Sequence, residues 1–187
     1  MTTGPDATEP PKDYRLLVPR DWFRIDLTQD RWRAQLKTFV DRQAEGKNVT
    51  AEAKHEAWVM LRNTAEAGVR GGALEYFLRS ELEDRSIMPA TLIVSLIPRT
   101  GPLTPQDLQQ SFEKREQQSS RPAEVSTVRL PAGETVRILT PTTMDLYVQM
   151  PGAVGYLVLM FAVPLSGMTG PMHRLCVSIS ESLRWIV

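Results

Sequence analysis

Between residues 146 and 165 the chain reads LYVQMPGAVGYLVLMFAVPL and carries no charge. Pro151-Gly152 interrupts this stretch, and a Pro-Gly pair marks a turn. Before it, Met144, Leu146, Val148 and Met150 alternate with Asp145, Tyr147 and Gln149, the period of two that a strand requires. After it, residues 155–163 are rich in strand-forming types. The pattern predicts a β-hairpin rather than a membrane-spanning helix, although about 20 apolar residues would be long enough to span. On the second strand Tyr156, Val158, Met160 and Ala162 face one way, while Leu157, Leu159, Phe161 and Val163 face the other. A strand with one wet face would alternate apolar and polar. This one must be covered on both sides, by helices of its own domain or by a partner.

The same periodicities organise the rest of the chain. Residues 1–13 are proline-bearing and almost free of large apolar groups, and read as a disordered tail. Residues 14–18 read as a short strand stopped by Pro19, and Phe23, Ile25 and Leu27 as a half-buried strand pairing with it. Thr28 or Asp30 is expected to cap a helix carrying Trp32, Leu36, Phe39 and Val40 on one face. A second helix runs from Thr50 to about Ala67, with Trp58, Leu61 and Ala65 inward and Gly68 as its stop. The segment ALEYFLRSELE suits either period, but Gly71-Gly72 is a poor helix start, so a strand is expected, followed by the apolar strand 91–97. Thr104-Pro105-Gln106-Asp107 is a strong helix start: N-cap, proline at the first helical position, acid in the first turn. A hairpin around Pro131–Glu134 follows, then the uncharged hairpin. Gly170-Pro171 opens a last helix whose stripe is Met172, Leu175, Cys176, Ile179, Leu183 and Ile186. Strands and helices do not alternate regularly. The expected fold class is α+β with a mainly antiparallel sheet, one domain over residues 14–187.

With 187 residues the chain can bury a real core. It has 22 basic and 22 acidic residues, a balance that points away from nucleic acid or an anionic membrane as the main partner. Cys176 is the only cysteine, so no internal disulfide is possible. The opening MTTGPDATEPPKD has neither the basic nor the apolar region of a secretory signal, and a cytoplasmic location is expected.

Candidate chemistry is sparse. His173 and Cys176 lie three apart on the last helix, but Cys176 belongs to the apolar stripe and no third orienting residue is apparent, so packing is the expected role. His55 and His173 sit in different helices, and no metal-ligand spacing or cofactor motif is found. The segment Gly68-Val69-Arg70-Gly71-Gly72 follows a helix and lacks phosphate-loop spacing. Arg31, Arg33, Lys37 and Arg42, mixed with Asp41 and Glu45, read as a solvated helix face. Methionines gather toward the C-terminal end, and between Ile138 and Met172 the only charge is Asp145. If part of this region is exposed it becomes the natural partner surface. The residues expected to form it are Met144, Leu146, Tyr156, Met160, Phe161 and Met168, with Met168 in the loop SGMTG the most exposed.

This element order, with LVPRDWFRIDL near the start, TPQDL opening a lone helix after LIVSLIP, and a C-terminal SLRW, resembles the PsbP-like and DcrB-like fold, and actinobacterial proteins of that group. Known members of the fold mostly bind proteins: photosystem subunits, a nuclear transport factor, adaptor chaperones of bacterial secretion. The resemblance implies a non-enzymatic binding or adaptor protein whose partner is another protein, through an apolar segment, or a copy of itself. The alternatives are an enzyme on the same scaffold, betrayed by convergent Asp, Glu, His or Arg side chains in a pocket, and a structural homo-oligomer.

Overall fold

The computed structural model describes residues 10–81, 87–98, 104–120, 123–168 and 170–187. The elements are β1 (Asp13–Arg15), β2 (Phe23–Asp26), α1 (Trp32–Ala44), α2 (Ala51–Arg70), β3 (Ala73–Arg79), β4 (Ala90–Pro98), α3 (Pro105–Glu116), β5 (Glu124–Leu130), β6 (Gly133–Leu139), β7 (Thr143–Gln149), β8 (Gly155–Ala162), α4 (Gly170–Glu181) and β9 (Arg184–Ile186). Seven strands form one antiparallel sheet in the order β2-β3-β4-β8-β7-β6-β5, and β1 and β9 form a separate ribbon. The α+β reading holds. No helix among the described residues is long and apolar enough to cross a membrane.

The two-sided strand takes the position its pattern demands. β8 lies between β4 and β7, in register through Val94–Leu159 on one side and Leu146–Leu159 on the other. One sheet face presents Leu92, Val94, Met144, Leu146, Val148, Leu157, Leu159 and Phe161, all buried against Met172, Cys176 and Ile179 of α4 and Trp22 of the N-terminal segment. On the opposite face Ile25, Tyr76, Leu78 and Ile93 are buried under Trp32, Leu36, Phe39 and Val40 of α1 and Ala57, Leu61 and Ala65 of α2. Farther along that second face α3 lies over β5 and β6, and its Phe112 ring meets Tyr147 of β7 at 4.9 Å. Each fully buried large aliphatic or aromatic side chain contributes about 1.5–3 kcal/mol. The core is thus two layers split by the sheet.

Local signals explain most boundaries. Thr104 caps α3 as expected: its hydroxyl accepts from Asp107 N and the Asp107 carboxylate accepts from Thr104 N, a capping box. Thr50 caps α2 through Ala53 N at 3.1 Å. Neither Thr28 nor Asp30 caps α1. Its N-cap is Arg31, with no side-chain bond, and the Thr28 hydroxyl instead donates to Asp26. Gly68 does not stop α2, which runs on to Arg70. Gly68 is a close-approach position, where a Cβ would lie 3.2 Å from that of Ala73. The break falls at Gly72, whose φ is +86° and where an added Cβ would lie 2.6 Å from the Leu96 carbonyl oxygen, so only glycine fits.

The chain ends depart further from expectation. β2 pairs with β3, not with the strand before it. β1 pairs with β9, Tyr14 opposite Trp185. Accordingly α4 stops at Glu181, where Ser180 and Ser182 hydroxyls donate back to Cys176 and Ile179 carbonyls, and Ile186 is 46% exposed on a strand rather than buried on a helix.

Candidate interaction surface

Of the six residues expected to form a partner surface, five lie on the β7–β8 hairpin, split between its two faces, and Met168 in the loop after it, mostly inside the protein. Met144, Leu146 and Phe161 lie in the layer under α4. Tyr156 is buried on the opposite face, and Met160 beside it is half-buried. Met168, expected to be the most exposed, is 5% exposed. The reason is polar. Glu81 accepts from the amides of Leu165 and Ser166 at 3.0 and 3.2 Å, and Met168 N donates to the Pro141 carbonyl at 2.7 Å. These bonds fold the loop inward and drive the methionine into the core.

Of the exposed large apolar side chains, which also include Leu17, Met60, Val69, Ile186 and Val187, three gather where the end of β4 meets the β7–β8 turn. Leu96 and Ile97 are 37% and 41% exposed at the end of β4, with exposed Pro98 following. The register sets Pro98 opposite Gly155, so Val154, 37% exposed, adjoins it in the β7–β8 turn. Leu96 and Ile97 point to opposite faces, making this a rim of the sheet rather than one face. Only β4 reaches solvent here; its β8 partners Leu157 and Tyr156 stay buried. The turn holds Ala153 at φ +52°, a left-handed backbone unusual for a residue with a Cβ. The sequence signal was present, since 91–97 is almost wholly apolar, but strand length relative to the helices above it is a tertiary property.

Asp145, the lone charge of the uncharged region, lies on the face opposite α4. It is half-buried on β7, with Ile138 of β6 opposite on one side and Met160 of β8 on the other. Among the described residues its carboxylate takes part in no hydrogen bond or ion pair. Burial pushes its pKa up to about 6, against a weaker downward pull from Arg115. Burial and the nearby carboxylate also raise Tyr147 above the usual phenol range.

A third arrangement forms at the β2 edge. An open cleft of 720 Å³ runs beneath the β1–β9 ribbon, lined by Tyr14, Arg24, Asp26, Glu75, Phe77 and neighbours. Asp26 and Glu75 are direct cross-strand partners. Their polar atoms are, however, spent locally: Glu75 accepts from Tyr14 Oη and from Arg24 Nε at 2.5 Å, and Asp26 accepts from Thr28 N and Oγ1. Burial and the Glu75 contact hold the Tyr14 phenol far above its usual range, so it serves as a donor and not as a base. The group staples the N-terminal segment to the sheet.

Cys176 is fully buried, and burial pushes its thiol up to about 12. No cluster that could hold a metal occurs among the described residues. Asp41 pairs with both Lys37 and Lys54, so part of the basic helix face is internally neutralised. No family model, curated protein or solved structure matches the chain.

Proposed function

We propose that this chain is a non-enzymatic protein-binding module, an adaptor or chaperone-like protein of PsbP-like/DcrB-like type, working in the cytoplasm. The observation that supports it is the rim of Leu96, Ile97, Pro98 and Val154, contiguous by strand register and exposed at the end of the sheet. Exposed apolar groups gathered at one place are how soluble proteins mark a contact. A chaperone-like partner would lay an apolar segment along this rim. Secretion, where adaptors of this fold type act, is the first pathway to test.

The test is affinity capture of the tagged full chain from its native cells, with mass spectrometry. A variant carrying Ile97→Asp and Val154→Asp is compared with Leu17→Asp, a control at an exposed leucine of the N-terminal segment. A stoichiometric partner held by the wild type and the control but lost from the rim variant supports the reading. No partner, or one indifferent to the rim, defeats it. A self-association that the rim variant abolishes, read as concentration-dependent mass, would make the partner a second copy.

One observation favours a second reading. Asp26, Glu75, Arg24 and Tyr14 converge in the cleft at the β2 edge, as an enzyme site would require. Their mutual hydrogen bonds leave little free for a substrate, and the binding reading is the better supported.

A further inference from the structure

Asp145 is an expensive residue where it stands. A carboxylate taken out of water without a partner costs several kcal/mol. Its neighbours across the ladder, Ile138 and Met160, are apolar. The charged group facing it from the helix above is Arg115 of α3. That guanidinium lies over the Phe112 ring at 5.1 Å from its centroid and 3.8 Å from Glu116, and makes no ion pair with Asp145. Yet the site is not sealed. Helices α1 and α2 cover β2 and β3, α3 covers β5 and β6, and between them Thr143, Asp145, Tyr147, Met160 and Ala162 are all half-buried.

We propose that the Asp145 carboxylate receives one basic side chain, lysine or arginine, from a protein partner; this rests on the binding reading above. The chemistry fits that occupant. The aliphatic stem of either residue lies on Met160 and Ala162 while its charged head meets the carboxylate. The Tyr147 ring, two residues along on the same face and held against Phe112 of α3, walls the site on that side. An anionic or purely apolar segment gains nothing from the acid, so the residue selects among segments that the apolar rim alone would accept.

The probes are n-propylguanidinium and n-butylammonium, which reproduce the two side chains, with n-butanol as the neutral control. The full chain is labelled with ¹³C at methionine methyls and aspartate carboxyls and followed by NMR. The expected result is a saturable shift of the Met160 methyl with the cations but not with butanol. The Asp145 titration midpoint falls by about one unit at saturation, a tenfold preference for the ionised form. Both responses vanish in Asp145→Asn, and in the wild type at a pH where Asp145 is protonated, which serves as a control needing no variant. A Met160 signal that ignores the cations, or answers butanol and the Asn variant equally, overturns the proposal. Partner capture through the rim is a separate measurement, so its success alongside a negative result here removes only the role of Asp145.

Discussion

Asp145→Asn keeps the side chain's shape and removes its charge, which makes it the sharpest test of the buried carboxylate. In the fold the group titrates at about 6, against an ordinary value of 3.8. The folded protein therefore holds this proton more tightly than the unfolded chain does. Below the ordinary value both states are protonated and the site costs nothing extra. As pH rises toward 6 the unfolded chain ionises first, and stability is lost; above 6 the loss is complete. Two units correspond to about 3 kcal/mol at most, and partial exposure reduces the expectation to about 2 kcal/mol. The assay is urea unfolding followed by tryptophan fluorescence, for both proteins, at pH 3.5 and pH 8. The variant should be about 2 kcal/mol more stable than the wild type at pH 8, relative to their difference at pH 3.5. Comparing differences cancels the Asn amide's own burial and every other titrating group, including Asp26, Asp41 and Asp107, whose hydrogen bonds hold them below their usual range. Stability curves that run parallel in pH would refute the reasoning, because they would mean that the carboxylate feels water as the unfolded chain does.

Two further outcomes follow from the geometry. Gly72→Ala forces a Cβ to 2.6 Å from the Leu96 carbonyl at positive φ and should cost about 2 kcal/mol or more, whereas Gly46→Ala, at φ +72° but in open space, should cost about 1 kcal/mol by the same urea measurement. Cys176, buried and with its thiol pushed up to about 12, should not react with a thiol reagent in the native protein at pH 8 and should react fully in urea; fast native labelling would put it at the surface.

Where the periodic signal was local, the sequence and the structure agree. The alternation through Met144, Leu146 and Val148 set the β7 register, and Thr104 and Asp107 set the start of α3, because neighbours along the chain decide both. The ambiguous segment at Leu74 resolved as a strand since Gly72 must turn tightly against Leu96. Local signals failed at the Thr28/Asp30 cap and the Gly68 stop, but most of what failed was long-range. Three-residue strands such as β1 and β9 leave no period to read, and their pairing joins opposite ends of the chain. The burial of Met168 depends on Glu81, far away in sequence, whose carboxylate draws the loop in. Alternation told which residues share a face, but not which face a helix would cover or where that cover would stop. The six residues named for a partner surface therefore fell mostly inside the protein. Asp145 stood out in the sequence as a lone charge; only the register, setting it between Ile138 and Met160, showed that it lacks a partner.

The ribbon of β1 and β9 makes the polypeptide a buckled belt. Tyr14 meets Trp185, and Lys12 N donates to the Ile186 carbonyl at 2.8 Å. On the ribosome the tongue of that buckle is made long before its frame. The meander from β5 to β8 can assemble while synthesis continues, but the clasp has to wait until β9 has cleared the exit tunnel. For that interval Tyr14 and the strap behind it are left without their final seat.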